Sequence, residues 1–361
     1  MKAVTRTYII AEAGVNHNGS PAMARKLIDA AAEAGADAVK FQTFRAETLV
    51  SDSAPKAEYQ KQAMGETESQ LQMLKKLELD EAAHLALAAH CRTRGIQFLS
   101  TPFDEESISL LNKCIGVPLI KVPSGEITNG PFLLAASRTG KPIILSTGMS
   151  TLIDVRAAVE VIAFGYTEKK RKPSKTAFRS SFRSAAGRRA LLAKVTLLHC
   201  TTEYPAPLTD VNLRAMDALH AAFDLPVGLS DHTIGIVIPI AAVAHGAVVV
   251  EKHFTLDRTL PGPDHKASLV PSELRAMVKA IRDVELAMGS GTKAPAPSEQ
   301  KNIAVARRSI VASQDIRKGE RFSEQNITSK RPGTGISPMH YWEWLHKIAT
   351  RDYKQDEVIG A

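Results

Sequence analysis

Two histidines, His232 in LSDHT and His253 in EKHFT, each close a short apolar run. An imidazole pair so placed can hold one divalent metal ion, and with a nearby carboxylate and open positions it suits Mn2+, Fe2+, Zn2+ or Co2+. Two lysines, Lys40 in VKFQTF and Lys121 in IKVPSGE, close two further runs. Lysines beside hydroxyls suit a phosphate or carboxylate through charge-assisted hydrogen bonds. The hydroxyls follow other runs: Thr101, Ser124, Ser146, Thr202 and Ser230, with Gln42 and Tyr204 among them. Gly125 and Gly148 would let backbone N–H groups approach the same anion. Glu12, Glu126 and Asp264 are the candidate general acids or bases, and His265 could line the same mouth. The competing reading for each lysine is a buried ion pair with a glutamate, and for each histidine a local hydrogen bond. GxSxG, GxGxxG and Walker A motifs are absent, and Cys200 has no evident activating partner, so nucleophile-elbow, nicotinamide and P-loop chemistry fall away.

Elements must bring these groups together. Short, often β-branched runs at 8–12, 38–42, 97–100, 119–122, 142–146, 195–199, 226–229 and 248–252 read as buried parallel strands. Amphipathic helical stretches lie between them, at 21–34, 81–94, 105–112, 152–164, 213–223 and 237–245, with a last one at 271–288. Eight strands alternating with helices favour an α/β fold of the (β/α)8 TIM-barrel type, although periodicity alone leaves a doubly wound sheet open. Barrel active sites sit at the C-terminal ends of the strands, where the residues above fall. His232 and His253 would end adjacent strands about 4.8 Å apart, close enough to share an ion.

The chain has 361 residues, 44% hydrophobic and 23% charged, enough for a barrel and a small further domain. We expect a barrel over 1–289, a linker over 290–305 in the proline-containing GSGTKAPAPSEQ region, and a compact turn-rich domain over 306–361. Three dispersed cysteines fit a reducing cytoplasm, and neither a secretory signal nor a membrane span is expected. The net charge of +8 is local: residues 169–194 hold ten Lys/Arg and no Asp/Glu, so the remainder is −2. That stretch belongs to an insertion over about 166–194, read as a solvated, partly mobile segment rather than a nucleic-acid contact.

The segments EAGVNHNG, VKFQTF, STPFD, KVPSGE, STGMS, CTTEYP, GLSDHT, EKHFT, GPDHKASL and KRPGTGISP occur in this order from about Tyr8 to Glu357. Together they resemble the N-acetylneuraminate (sialic acid) synthase family, with a C-terminal antifreeze-like (SAF) domain of β-clip type. The resemblance implies a cytoplasmic enzyme that condenses phosphoenolpyruvate with N-acetylmannosamine and water, giving N-acetylneuraminate and phosphate. It implies a divalent metal on His232 and His253, Mn2+ first, with Mg2+ or Co2+ as alternatives. It places Lys40, Gln42, Thr101, Lys121, Ser124, Ser146, Thr202 and Ser230 with the phosphoenolpyruvate, and Tyr204 and Asp264 beside the sugar. Glu12 and Glu126 match carboxylates at the reacting centre. Arg331 matches an arginine that the C-terminal domain delivers into the partner's barrel in a domain-swapped homodimer. Thr202 stands where some relatives carry asparagine, and Ala63–Met64 where relatives often carry Asn–Thr near the sugar. The nearest alternative is a synthase of a related nonulosonic acid, legionaminate type, acting on a different amino sugar. A silent carbohydrate-binding or scaffold protein is the rival from another class, against which the intact histidines and lysines speak.

Overall fold

The computed structural model describes residues 6–58, 60–61 and 68–360, so Ala63 and Met64 lie outside the described residues. The chain divides into two compact units, Met1–Ser290 and Gly291–Ala361. In the first, eight strands alternate with helices: β1 (Tyr8–Gly14), β2 (Ala38–Thr43), β3 (Gln97–Pro102), β4 (Ile120–Val122), β5 (Ile143–Ser146), β6 (Val195–Cys200), β7 (Val227–Asp231) and β8 (Val249–His253). They form one parallel sheet in the order β3-β2-β1-β8-β7-β6-β5-β4. The sheet curls until β3 lies beside β4, giving the expected α/β barrel, nearly closed. β4 is short because Pro118 and Pro123 bracket it, and proline brings no N–H to a ladder.

Successive side chains on a strand face opposite ways, so each strand supplies one inward and one outward set. The outward set, including Ile9, Val39, Phe41, Leu145, Leu197 and Val250, packs with the helices in the main core. The inward set begins with a separate apolar layer of Ile10, Ala38, Leu99, Ile144, Leu198 and Val249. On β7 this layer holds Gly228, where a Cβ would stand 2.3 Å from the Val249 carbonyl oxygen. Two residues further along the same strands comes a polar layer: Glu12, Lys40, Thr101, Lys121, Ser146, Cys200, Ser230 and Glu251. One more step of two brings Gln42, Thr202, His232 and His253 to the mouth. The apolar layer is therefore the floor on which a polar site stands.

The basic insertion differs from the expected mobile segment. It forms two helices, Lys175–Arg183 and Ala185–Lys194. Ser174 and Ser184 cap them by accepting from the backbone N–H of Ala177 and Gly187. The Phe178 ring meets Phe164 edge-on at 5.1 Å between centroids, and Leu191 is buried in the core. Apolar residues on one helical face thus anchor a segment that carries its cations on the exposed side.

In the second unit β9 (Ser309–Ala312) pairs antiparallel with β10 (Ile327–Lys330). Ile310, Ile316, Phe322, Ile327, Tyr353 and Ile359 make its own small core. A short helix, Gln300–Ala306, occupies part of the stretch read as linker. No helix among the described residues is long and apolar enough to cross a membrane.

Candidate active site

A cavity of about 350 Å³ opens at the C-terminal ends of the strands, within the range of small-molecule sites. Its base is a buried charge cluster. Lys40 Nζ donates to Thr101 Oγ1 at 2.8 Å and lies 2.7 Å from Glu12 Oε2 and 3.6 Å from Glu251 Oε1. Lys121 Nζ donates to Ser146 Oγ at 2.8 Å and lies 3.4 Å from Glu251 Oε1. Ser230 Oγ donates to the same Glu251 oxygen at 3.0 Å. One carboxylate, Glu251, therefore serves both lysines and a serine.

The two glutamates differ in protonation. Burial pushes Glu12 up to about 7, against the pull of Lys40. Burial also opposes charge on Glu251, but Lys121 and Lys40 outweigh it and hold its carboxyl at about 2. Burial works against charge on Lys40 as well, but Glu12 and Glu251 outweigh it and raise the lysine above its ordinary value. Burial lowers Lys121. Whenever Glu12 holds its proton, Glu251 alone opposes the lysine charge, and the base of the cavity favours an anion. Glu12 can then hold or release a proton near neutral pH.

Above this base stands the histidine pair. The rings of His232 and His253 are 5.5 Å apart between centroids, and the Tyr204 ring lies 4.1 Å from the first and 5.6 Å from the second. His232 Nδ1 lies 2.6 Å from the Thr201 carbonyl oxygen. That oxygen only accepts, so the proton is on Nδ1 and the Nε2 lone pair is left for a ligand. His253 Nδ1 is buried without a hydrogen-bond partner, 3.9 Å from Asp264 Oδ2. Burial lowers His232 to about 4 and His253 well below its ordinary value, so both imidazoles are neutral at physiological pH. Neutral imidazole is the ligating form, and a buried, unpartnered ring nitrogen fits a metal ion. No three His, Cys, Asp or Glu side chains converge on one point among the described residues. An ion here would take two imidazoles from the protein and its other ligands from substrate or water.

Most of the expected residues meet in this cavity. Glu12, Lys40, Gln42, Thr101, Lys121, Ser124, Ser146, Thr202, Tyr204, Ser230, His232, His253 and Asp264 all line it. Glu126 does not. Its carboxylate accepts from Asn129 Nδ2 at 2.6 Å, three residues on, where Asn129 caps the following helix. Glu126 thus stands beside the lining, next to Ser124 and Gly125, with Asn129 as its local partner. Arg331 lies in the second unit, exposed, one residue beyond β10. His265 is likewise not at the mouth: its Nδ1 pairs with Thr255 Oγ1 at 2.7 Å.

Gly148 also corrects an expectation. Its N–H donates to Ser124 Oγ at 3.0 Å rather than standing free for a ligand. A Cβ on Gly148 would come 2.3 Å from Thr202 Oγ1, 2.8 Å from Ser124 Oγ and 2.9 Å from Cys200 Sγ. Gly148→Ala is therefore expected to cost about 1–3 kcal/mol of stability by overpacking. It should also weaken anion binding about tenfold, because three lining groups must move. Urea unfolding and a phosphoenolpyruvate titration would check this, and wild-type values in both would contradict the packing described.

Two features escaped sequence reasoning. Glu251 was visible at the end of β8, and its position two residues beyond Val249 marks it as inward-facing, but its shared pairing is tertiary. The second is a side wall of Leu49, Val50, Met73, Leu74 and Leu77, with the amides of Gln60 and Gln70. It comes from the segment between β2 and β3, where no periodic signal points to a site. Asp264 closes the opposite side, and burial raises its carboxyl to about 6.

The NeuB family model matches residues 27–293, and a SAF domain model matches residues 307–361. N,N'-diacetyllegionaminic acid synthase of Campylobacter jejuni is 52% identical over 354 residues, 98% of this chain and 99% of that protein. The synthase of the same name from Legionella pneumophila is 48% identical, over 92% of this chain and 87% of that protein. Among solved structures, N-acetylneuraminic acid (sialic acid) synthetase of Leptospira borgpetersenii, in complex with citrate, superposes with a TM-score of 0.67 at 33% identity, covering 83% of this chain and 91% of that one.

Proposed function

The chain belongs to the NeuB family, and from that premise we propose that it is a phosphoenolpyruvate-dependent synthase of a nonulosonic acid of the legionaminate type. The N-acetylneuraminate reading drawn from the sequence gives way here to its alternative, because relatives about half identical over nearly the whole chain bear the legionaminic name. Phosphoenolpyruvate carries three carbons and no nitrogen. Both acetamido groups of a diacetylated nine-carbon product must therefore arrive on the six-carbon sugar. The side wall supports such a substrate: its apolar residues suit acetyl methyl groups, and the Gln60 and Gln70 side chains, joined by a hydrogen bond of 3.4 Å, add a polar patch beside them.

The base of the cavity suits the anionic partner. Lys40 with Thr101, and Lys121 with Ser146, offer two oriented cations to phosphate and carboxylate oxygens. Glu251 keeps both ammonium groups in place between turnovers. His232 and His253 would hold the divalent ion, which when bound polarises the sugar's aldehyde oxygen. Tyr204 packs against both rings and limits their rotation. The methylene carbon of phosphoenolpyruvate forms the new bond to the aldehyde carbon. Water adds to the resulting cationic carbon and gives up one proton; phosphate then leaves with the C–O bond electrons while the new hydroxyl becomes the keto group and passes its proton to the departing phosphate. The aldehyde oxygen gains one proton over this sequence. Glu12, when it holds its proton, is suited to deliver it, and Asp264, at about 6, to accept one from water. Arg331 is proposed to contribute from the partner chain of a homodimer, as in the family it resembles.

The observation that carries this reading is the buried lysine pair beneath two neutral histidines. Its test is phosphate release from phosphoenolpyruvate with Mn2+ and a panel of amino sugars. We expect release with a six-carbon sugar that carries two acetamido groups, at least tenfold above N-acetylmannosamine in kcat/KM. Preference for N-acetylmannosamine would return the N-acetylneuraminate reading, and no release with any sugar would favour a binding protein.

A further inference from the structure

The helical insertion carries a second cavity that the condensation does not use. It has a volume of about 330 Å³ and lies between the insertion and the C-terminal end of the helix Ala215–Phe223. Three exposed arginines line it: Arg156 from the helix Leu152–Thr167, Arg183 at the end of the first insertion helix and Arg188 in the second. None of the three is ion-paired with a carboxylate among the described residues, although Asp224 also lines the cavity. The floor is apolar. Phe223 and Leu191 are buried there, and the Arg156 guanidinium lies 5.5 Å from the Phe223 ring centroid and 5.7 Å from that of Phe182.

Three guanidiniums line one cavity with Asp224 as its one lining carboxylate among the described residues, so positive charge is in excess there. An anion relieves it. Guanidinium forks suit phosphate, offering parallel N–H donors to its oxygens. A bare phosphate, however, would leave the phenyl-lined floor unfilled. We propose that this cavity binds a small phosphomonoester whose body is apolar or aromatic: the phosphate sits among Arg156, Arg183 and Arg188, and the body lies on Phe182 and Phe223. This gives the basic stretch 169–194 a task distinct from the barrel chemistry, and it does not depend on which sugar the enzyme uses.

Calorimetric titration of the full-length protein with phenyl phosphate and with inorganic phosphate tests it. The same titrations on a Lys40→Met/Lys121→Met variant separate binding at the barrel from binding at this cavity. Phenyl phosphate should bind at least tenfold more tightly than phosphate. The Arg156→Ala/Arg188→Ala variant should lose at least tenfold in affinity for it, with unchanged circular dichroism. Arg188→Lys, which keeps charge but loses the fork, should fall between. Equal affinity for phosphate and phenyl phosphate would overturn the proposal, as would full affinity in the double variant. So would tight binding of a 20-nucleotide RNA that phenyl phosphate does not displace, since the arginines would then serve an extended polyanion.

Discussion

Glu251→Ala is expected to destabilise the protein by about 3–5 kcal/mol and to lower turnover by about 10²–10³. Glu251 is the carboxylate within 4 Å of Lys121 and the second one for Lys40. Its removal leaves a buried ammonium with Ser146 alone to answer it. A buried charge without a counter-charge is costly, and burial already works against the Lys121 proton. Glu251→Gln separates the charge from the shape, because its amide oxygen can still accept from Ser230. It should keep most of the packing and lose most of the turnover. Phosphoenolpyruvate brings negative charge to the same lysines, so it should raise the melting temperature of the Gln variant more than that of the wild type. Urea unfolding, thermal unfolding with and without phosphoenolpyruvate, and phosphate-release rates read these effects. Wild-type stability and turnover in Glu251→Gln would show that the lysines do not rely on this carboxylate.

The second large effect is expected at the histidine pair. His232→Ala and His253→Ala should each lower bound Mn2+ from about one equivalent to near zero and reduce turnover at least 10³-fold, with the fold intact. The fold should survive because both rings lie above the polar layer, and among the described residues their one hydrogen bond to the protein is that of His232 to the Thr201 carbonyl. Metal content after dialysis, measured beside circular dichroism, checks the binding. Chelator treatment of the wild type should abolish phosphate release, and added Mn2+ should restore it. A variant that kept its metal and its activity would remove these histidines from the ligand set.

These expectations rest on features that were unequally legible in the sequence. The floor and the polar layer were legible in principle. Ile10 and Glu12, Ala38 and Lys40, and Val249 and Glu251 are each two residues apart, so they share the barrel's inner face. The His232–His253 pairing followed from adjacent strand ends. The insertion was misread because ten cations dominate residues 169–194 and obscure the few apolar residues, Phe178 and Leu191 among them, that pin it to the core. The side wall from Leu49 to Leu77 was not legible, because a segment without periodicity reveals its facing only by what it touches.

Local chemistry along the chain determined which strands exist, which way their side chains alternate, and that lysines, hydroxyls and two imidazoles end on one rim. Only the tertiary structure decided how those groups are shared. Strand parity turns Glu251 inward, but nothing local shows which lysines it meets. Closure of the barrel brings Glu251 between Lys40 and Lys121, whereas Glu126 meets Asn129, three residues away. A carboxylate's role here depends on which cations the fold carries within a few ångströms of it, and that distance is set by strands that lie more than a hundred residues apart in the chain.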